Sequence, residues 1–468
     1  MSATSVRFAS TRPIAFRGPA RRNHIAVMLM LTLAVLAPRA DALAPGADGV
    51  RVTIPVSGTD DTAFAAAVDP AGNVVMAGAT SSGSSALAGI TRTGQLNTAF
   101  GTANGVVLYN LSTSTDTLTA IVRMADGRYV GCGVYFTPGT GNDFFTARFM
   151  SDGSLDTTFD GSGYAVTPFL PSGAGGQLVD QCNAVVAQSD GMIVSAGFTA
   201  EQGPDHVALT RHTASGQLDT LFGSGGLVDI NASATSNGNS HANALLVQPD
   251  GKLLVAGYAG GTGNTDMLVM RLNGDGSPDA AFGTGGITRT PVGTGEDIAN
   301  AMVLQPDGRI VIAGSSVASD GRRDFALARY MSDGTLDPSF GTGGLVTTPV
   351  GPGDDIAFAL TLMPWGRLIA AGSARISTSA SGTDLALISY NADGSIDRYF
   401  GMDGKVMLDV SGVSSAQDTV YALANDIDGE HFWAIGTAEP TTSQDFLAVE
   451  FGLDDTIFRH GFDTNTAP

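Results

Sequence analysis

Short apolar runs broken by Gly, Asp and Pro recur along this chain in one fixed grammar. The stretch "DIANAMVLQPDGRIVIAG" (Asp297–Gly314) shows it. A strand rich in small residues, Asp297 to Gln305, meets a tight Pro306-Asp307-Gly308 turn, and the apolar strand "RIVIAG" follows. A polar loop leads to "DFALARYM" (Asp324–Met331), in which sides alternate, and a Gly-rich connection carries the chain into "GLVTTPV" (Gly344–Val350). Period-2 alternation between turn residues predicts four β-strands, and no helical period longer than one turn competes with it.

The same unit returns seven times. Its turn glycine falls at Gly72, Gly127, Gly191, Gly251, Gly308, Gly366 and Gly429. A second anchor, the Phe that closes the connection, falls at Phe100, Phe159, Phe222, Phe282, Phe340 and Phe400, in steps of 59, 63, 60, 58 and 60 residues. The units fill the chain from about residue 57 to 452. Four antiparallel strands repeated seven times predict an all-β fold, a seven-bladed β-propeller. The ends of the array agree with a ring. The seventh unit supplies three strands, from Thr419, His431 and Asp445, while "GADGVRVTIPVSGTDD" (Gly46–Asp61) matches the fourth-strand phrase "GTGGLVTTPVGPGDD" (Gly341–Asp355). An N-terminal strand is therefore expected to complete the last blade and remove its open edge.

The connection itself reads "DGTLDPSFGTGG" at Asp333–Gly344, with close copies from Asp152, Ser215, Asp275 and Asp393. Asp-Gly-Ser/Thr makes the turn after the third strand, Leu336 and Phe340 are apolar pegs, and Gly-x-Gly-Gly allows positive φ. A role repeated in every unit is a folding role. These units resemble the repeat, about sixty residues long, with a "DGSLDxxFGxGG" core found in many exported bacterial proteins, the delta-60 repeat family. The resemblance covers essentially the whole mature chain. It implies a β-propeller of uncharacterised function and brings no activity with it.

Composition adds location and excludes partners. Arg7, Arg12, Arg17, Arg21 and Arg22 precede an apolar run, Ile25 to Leu36, and Ala40-Asp41-Ala42 offers small residues at a cleavage site. Residues 1–42 thus read as a signal peptide, 43–452 as the propeller and 453–468 as a C-terminal tail. The expected location is the periplasm, cell surface or medium of a Gram-negative bacterium. Twelve apolar residues are too few to span a bilayer, so no membrane insertion is expected after cleavage. Cleavage removes six Arg and one Asp from a formal net charge of −21, leaving −26. Such a surface repels nucleic acid and anionic headgroups, so the expected partner is a protein or a glycan. Cys132 and Cys182 are the two cysteines, and one bridge is open to them in an oxidising compartment.

Candidate chemistry falls into three groups. Eleven residues before each turn glycine stand Asp61, Asp116, Asp180, Ser240, Asp297, Asp355 and Asp418. Six carboxylates around one mouth of a ring could hold calcium, but the favoured reading is structural, with each Asp accepting hydrogen bonds from the next blade's backbone or a hydroxyl. A second acidic series, Asp143, Asp205, Asp266, Asp324, Asp384 and Asp445 with Ser84 in the first unit, opens the third strands. Arg148, Arg211, Arg271 and Arg329 recur on those strands, with blade packing preferred to ion pairing as their role. "NGDGSPD" (Asn273–Asp279) lacks the alternating carboxylates of a calcium loop. Departures from the repeat are the better leads. Trp365 replaces the turn Asp in "MPWGR", and Ser240-His241 puts an imidazole where the other units carry the acid; both are candidate ligand residues. Trp433 lies in a strand and belongs to the core. No metalloprotease, nucleophile-elbow or phosphate-loop motif occurs, so the expectation is a non-catalytic module without a cofactor. The rival is a propeller enzyme acting on a polysaccharide or small molecule in a central pocket. The tail "DDTIFRHGFDTNTAP" reads either as a decayed seventh phrase, with Phe458 as its peg 58 residues after Phe400, or as a sorting signal.

Overall fold

A computed structural model describes residues 40–42, 50–101, 105–169, 178–200, 203–235, 237–261, 263–375, 382–413, 415–426, 429, 431–439 and 443–452. Residues 1–39, most of the expected signal peptide, and the expected tail after 452 lie outside the described residues. Strands β1 (Ala40–Ala42) and β2 (Val50–Ile54) come first. Six antiparallel sets of four follow. They are β3 (Asp61–Val68), β4 (Val74–Thr80), β5 (Ser85–Ile90) and β6 (Val106–Tyr109); β7 (Asp116–Arg123), β8 (Tyr129–Thr137), β9 (Gly141–Phe149) and β10 (Tyr164–Thr167); β11 (Leu178–Ala187), β12 (Ile193–Thr199), β13 (His206–His212) and β14 (Leu227–Ile230). Then come β15 (Asn239–Val247), β16 (Leu253–Gly261), β17 (Asn264–Leu272) and β18 (Ile287–Thr290); β19 (Asp297–Leu304), β20 (Ile310–Val317), β21 (Arg323–Tyr330) and β22 (Leu345–Thr348); β23 (Ile356–Leu362), β24 (Leu368–Ala374), β25 (Asp384–Tyr390) and β26 (Lys405–Leu408). The last set is β27 (Thr419–Asn425), β28 (His431–Ala438) and β29 (Asp445–Gly452). Its fourth strand is β2, antiparallel to β29 from Arg51↔Val449 to Ile54↔Phe446. A short parallel pairing of β11 with β9 joins the second and third sets into one eight-stranded sheet. The chain is all-β.

The first strands neighbour one another in series: β3 lies against β7, β7 against β11, and so on to β23 against β27, and β27 lies against β3. Apolar side chains fill the space between adjacent sheets. One cluster joins Leu254, Met267 and Phe282 of one set to Ile310, Ile312 and Tyr330 of the next. Another joins Ala424, Trp433 and Ile435 of the last set to Ala63, Val74 and Met76 of the first, with Val52 and Ile54 of β2. Trp433 is completely buried there.

Every pairing of a first with a second strand carries a β-bulge at one height, for example between Ala299 and Ala301. The bulge drives the first strand onto the glycine of the facing strand. A Cβ on Gly314 would sit 1.9 Å from the Ile298 carbonyl oxygen. That contact explains a glycine at this point of every second strand, although φ there is ordinary.

The repeated phrase works as a clamp between sheets. Phe340 is fully buried, and the Arg329 guanidinium lies 4.5 Å over its ring. Arg329 Nε donates to Asp337 Oδ2 at 2.9 Å, and Nη1 donates to the Ala392 carbonyl of the next set. Arg148, Arg211 and Arg271 repeat this geometry on Asp156, Asp219 and Asp279. The arginines are therefore ion-paired, and to the phrase's own aspartates rather than to the acids that open the third strands. The hairpin decides this, because it folds the phrase back onto the strand it has just left.

Candidate functional site

The carboxylates at the start of the first strands are buried at the seams between sheets. Asp297, 1% exposed, accepts the Val292 and Gly293 N–H groups at 2.6 and 3.0 Å. Asp355 accepts Val350 and Gly351, Asp116 accepts Leu111 and Ser112, and Asp418 accepts Val410 and Ser411. Asp61 takes the Val56 and Ser57 amides, while Asp180 takes the Phe169 amide and the Thr199 hydroxyl. Ser240 Oγ does the same work at its seam by accepting the Val207 and Ala232 N–H groups. Most of these donors come from the chain leaving the preceding set, not from the following blade. Each acid thus ties the end of one sheet to the start of the next.

The second acidic series faces the first across these seams. Burial, with Asp409 and Asp418 nearby, pushes Asp384 up to about 6. Burial with Asp61 and Asp60 does the same to Asp445. One group of three converges: single carboxylate oxygens of Asp384, Asp409 and Asp418 lie within 4.8 Å of one another. This gives the calcium expectation a concrete location, using one member of the predicted ring, one of the second series and one acid that no sequence pattern singled out.

His241 breaks the seam pattern. It stacks between Phe198 of β12, with centroids 3.8 Å apart, and Tyr258 of β16, at 4.6 Å. Its Nε2 donates to Asp205 Oδ2 at 2.7 Å. Burial holds the imidazole below its ordinary value against the pull of Asp205, so it is neutral near pH 7, with its proton on Nε2 toward Asp205. Burial, Asp205 and Glu296 push the Tyr258 hydroxyl up to about 12. Asp205 was legible as a repeat position; the two rings were not, because they come from second strands of two different sets. Three residues past each acid the lining also loses symmetry. Phe358, Tyr421 and Phe64 make one aromatic run, with centroids 5.1 and 5.4 Å apart. Asn183, Asn243 and Asn300 make an amide run, each donating to a first-strand carbonyl of the next set.

Trp365 lies at the opposite end of the first strands, in the Pro364–Gly366 turn. It is 85% exposed and held in the left-handed region at φ 63°. Two other large apolar side chains project from the same end of this set: Tyr399, 79% exposed, and Met402, 66% exposed. Both sit in the connection that abuts the Trp365 turn, where Arg367 Nε meets Asp397 Oδ2 at 3.2 Å. Asp403 in that connection is also left-handed, at φ 54°. Trp365 and His241 are thus not brought together. Tyr399 stands where the other units put Ala99, Thr158, Leu221, Ala281 and Ser339, a departure visible in the sequence.

A family model described as "Domain of unknown function (DUF5122) beta-propeller" matches residues 125–159, 248–282, 305–340 and 366–400. The matches fall on the same stretch of four units, from the turn to the peg Phe, and support an uncharacterised β-propeller family. No curated protein matches the sequence. Among solved structures, the polysaccharide lyase Uly1 is 9% identical, with 85% of this chain and 91% of that chain covered and a TM-score of 0.47. A fungal alcohol oxidase in complex with copper is 15% identical over 86% of this chain and 75% of that one, also at 0.47. Sqt1 from Chaetomium thermophilum, bound to the N-terminus of a ribosomal protein, is 14% identical over 84% and 98%, at 0.44. Likenesses at this level carry no argument about ligand or reaction.

Proposed function

We propose that the chain is an exported, closed, seven-bladed propeller that works as a binding module, and that it takes a neutral glycan on the end face carrying Trp365. The pairing of β2 with β29 supports closure, as does the Asp61 N–H donating to the Gln444 carbonyl at 2.7 Å. Export is supported by the basic and apolar leader and by the Cys132–Cys182 disulfide, which bridges β8 and β11. The observation that carries the binding reading is Trp365 itself. A bulky residue in left-handed backbone costs about 1 kcal/mol or more, and strain of that kind gathers at functional sites. Its ring, beside Tyr399, offers the flat apolar surface on which pyranose C–H faces stack, and exposed Arg398 and Asp403 can bond hydroxyls. The net charge disfavours an anionic polymer.

Trp365→Asn tests this, because Asn tolerates the turn. The wild-type protein should be retarded in native gels containing soluble xylan or β-glucan, and the variant should run free with its melting temperature unchanged or higher. Equal retardation of both, or none of either, refutes the reading. A second reading rests on His241: oriented by Asp205 through Nε2, it can act as a general base at the other mouth. Loss of a polysaccharide-cleaving activity in His241→Ala, with binding intact, would favour it.

A further inference from the structure

The bulge in every first strand does more than crowd a glycine, because it turns one side chain per set out of the ladder. The register skips Thr119, Asn183, Asn243 and Asn300 in four successive sets. It skips Phe358, Tyr421 and Phe64 in the other three. Bulges commonly re-aim a side chain in this way beside functional sites. All of these residues are half-buried, so solvent still reaches them. The polar four act on their neighbours. Thr119 Oγ1 donates to the Cys182 carbonyl at 2.6 Å, and the three amides donate to the Ala242, Ala299 and Ala357 carbonyls, each at 2.9 Å. The Oδ1 atoms of Asn243 and Asn300 each take one long bond, at 3.4 Å, from the preceding amide and keep a lone pair to spare.

The aromatic three form an arc on β23, β27 and β3, strands that touch in that order. Phe358 and Tyr421 are tilted by 49° and Tyr421 and Phe64 by 59°, with centroids 5.1 and 5.4 Å apart. Tilted faces suit a compact group met from several sides better than a flat sugar ring, which stacks on one plane. A phenyl ring has no donor, so the Val420 and Leu118 carbonyls go without the bond that Ala242, Ala299 and Ala357 receive. Charge gathers at the same seams. Three residues before the rings stand Asp355, Asp418 and Asp61. Facing the last two are Asp384 and Asp445, which burial and neighbouring carboxylates push up to about 6.

We propose that the arc of Phe358, Tyr421 and Phe64 is a site for a compact organic cation of the quaternary-ammonium class. The ring faces attract the charge, and the crowded carboxylates, about 10 Å away along the strands, make the potential over the arc negative. A quaternary ammonium has no N–H to leave unbonded against the rings. In the closed ring proposed above, Asn243 and Asn300 stand across the bore, where their oxygens can take a hydroxyl hydrogen from the cation's tail. The arc itself needs only the contacts of β23, β27 and β3. It is independent of the glycan reading, since Trp365 lies in the turn at the far end of these strands.

The test is titration calorimetry of the mature chain with choline chloride and with 3,3-dimethylbutan-1-ol, which has the same shape without the charge. Choline should bind the wild type about tenfold or more tightly than the alcohol does. Tyr421→Leu should weaken choline by about tenfold or more while keeping a cooperative melt. If Tyr421→Leu does not fold, Phe64→Leu makes the same comparison. Trp365→Asn should bind choline as the wild type does, which separates failure of the glycan reading from failure of this one. Equal binding of choline and the alcohol overturns the proposal, as does no choline binding at all. Unchanged binding in Tyr421→Leu would place the cation at the carboxylates alone, and loss in Trp365→Asn would place it at the other end; either result overturns the proposal too.

Discussion

His212 is a histidine where the core has no use for a charge. It ends the third strand of its set at 1% exposure, in the place held by Tyr330 and Tyr390 two and three sets later. Those tyrosines donate their hydroxyls to Thr290 and Thr348, and His212 Nε2 meets Thr167 Oγ1 at 3.2 Å in the same way. Burial brings its pKa down from 6.5 to about 4. The unfolded chain therefore binds a proton at a pH where the native chain does not. Stability is unaffected above 6.5, falls as pH drops from 6.5 towards 4, and levels off below 4. At about 1.36 kcal/mol per pH unit, the loss between pH 8 and pH 4 is about 3 kcal/mol.

The variant to make is His212→Tyr, which installs the sibling residue and removes the titration. Urea unfolding followed by fluorescence of the buried Trp433 gives stability for both proteins from pH 8 to pH 4. Asp384 and Asp445 titrate near 6 in the native state and act in the opposite sense: their raised values favour the native state as pH falls, in both proteins alike. The difference between the proteins isolates His212. The variant should gain about 3 kcal/mol on the wild type between pH 8 and pH 4, whatever its offset at pH 8. Two curves that run parallel would refute the reasoning, and would mean that water or a partner reaches the ring.

Gly314→Ala should destabilise by about 3 kcal/mol or prevent folding, since its methyl would meet the Ile298 carbonyl at 1.9 Å; the urea midpoint measures it, and a neutral result would mean the bulge can relax. Reducing the Cys132–Cys182 bridge, which closes a 50-residue separation, should cost about 4 kcal/mol by loop entropy, read as a shift in urea midpoint with and without reductant. Because the seam carboxylates are already bonded to backbone amides, the melting temperature should be the same in EDTA and in millimolar calcium. A large rise with calcium, abolished by Asp384→Asn, would instead put an ion at Asp384, Asp409 and Asp418.

The strands, the phrase and the exposed Trp365 were readable in one dimension because each rests on contacts close in sequence or on a period. The pegs are an example: Phe340 is buried by a connection only a few residues long, so its repetition already implied its role. The partners of the charged groups were not readable. Arg329 had acids of two series to choose from, Asp324 and Asp337, and only the fold-back of the hairpin selects the second. The glycine of "IVIAG" passed as an ordinary small strand residue, because a bulge in the facing strand has no signature of its own. His241 was visible, but its neighbours Phe198 and Tyr258 come from residues far apart in sequence and meet only when two sheets pack.

The same distinction explains why the repeat hides its function. Whatever recurs from unit to unit — seam acid, the clamp arginine of four units, peg and turn glycine — is spent on joining one sheet to the next. Function has to lie where one unit differs from its siblings. Two such differences stand at opposite ends of the first strands: a neutral imidazole held between two rings, and a strained, exposed indole with Tyr399 and Met402 beside it. Neither is needed by the scaffold, since the sibling units are built without it. A series of near-identical sheets thus makes its odd residues informative, because each is compared in place with siblings folded from the same chain.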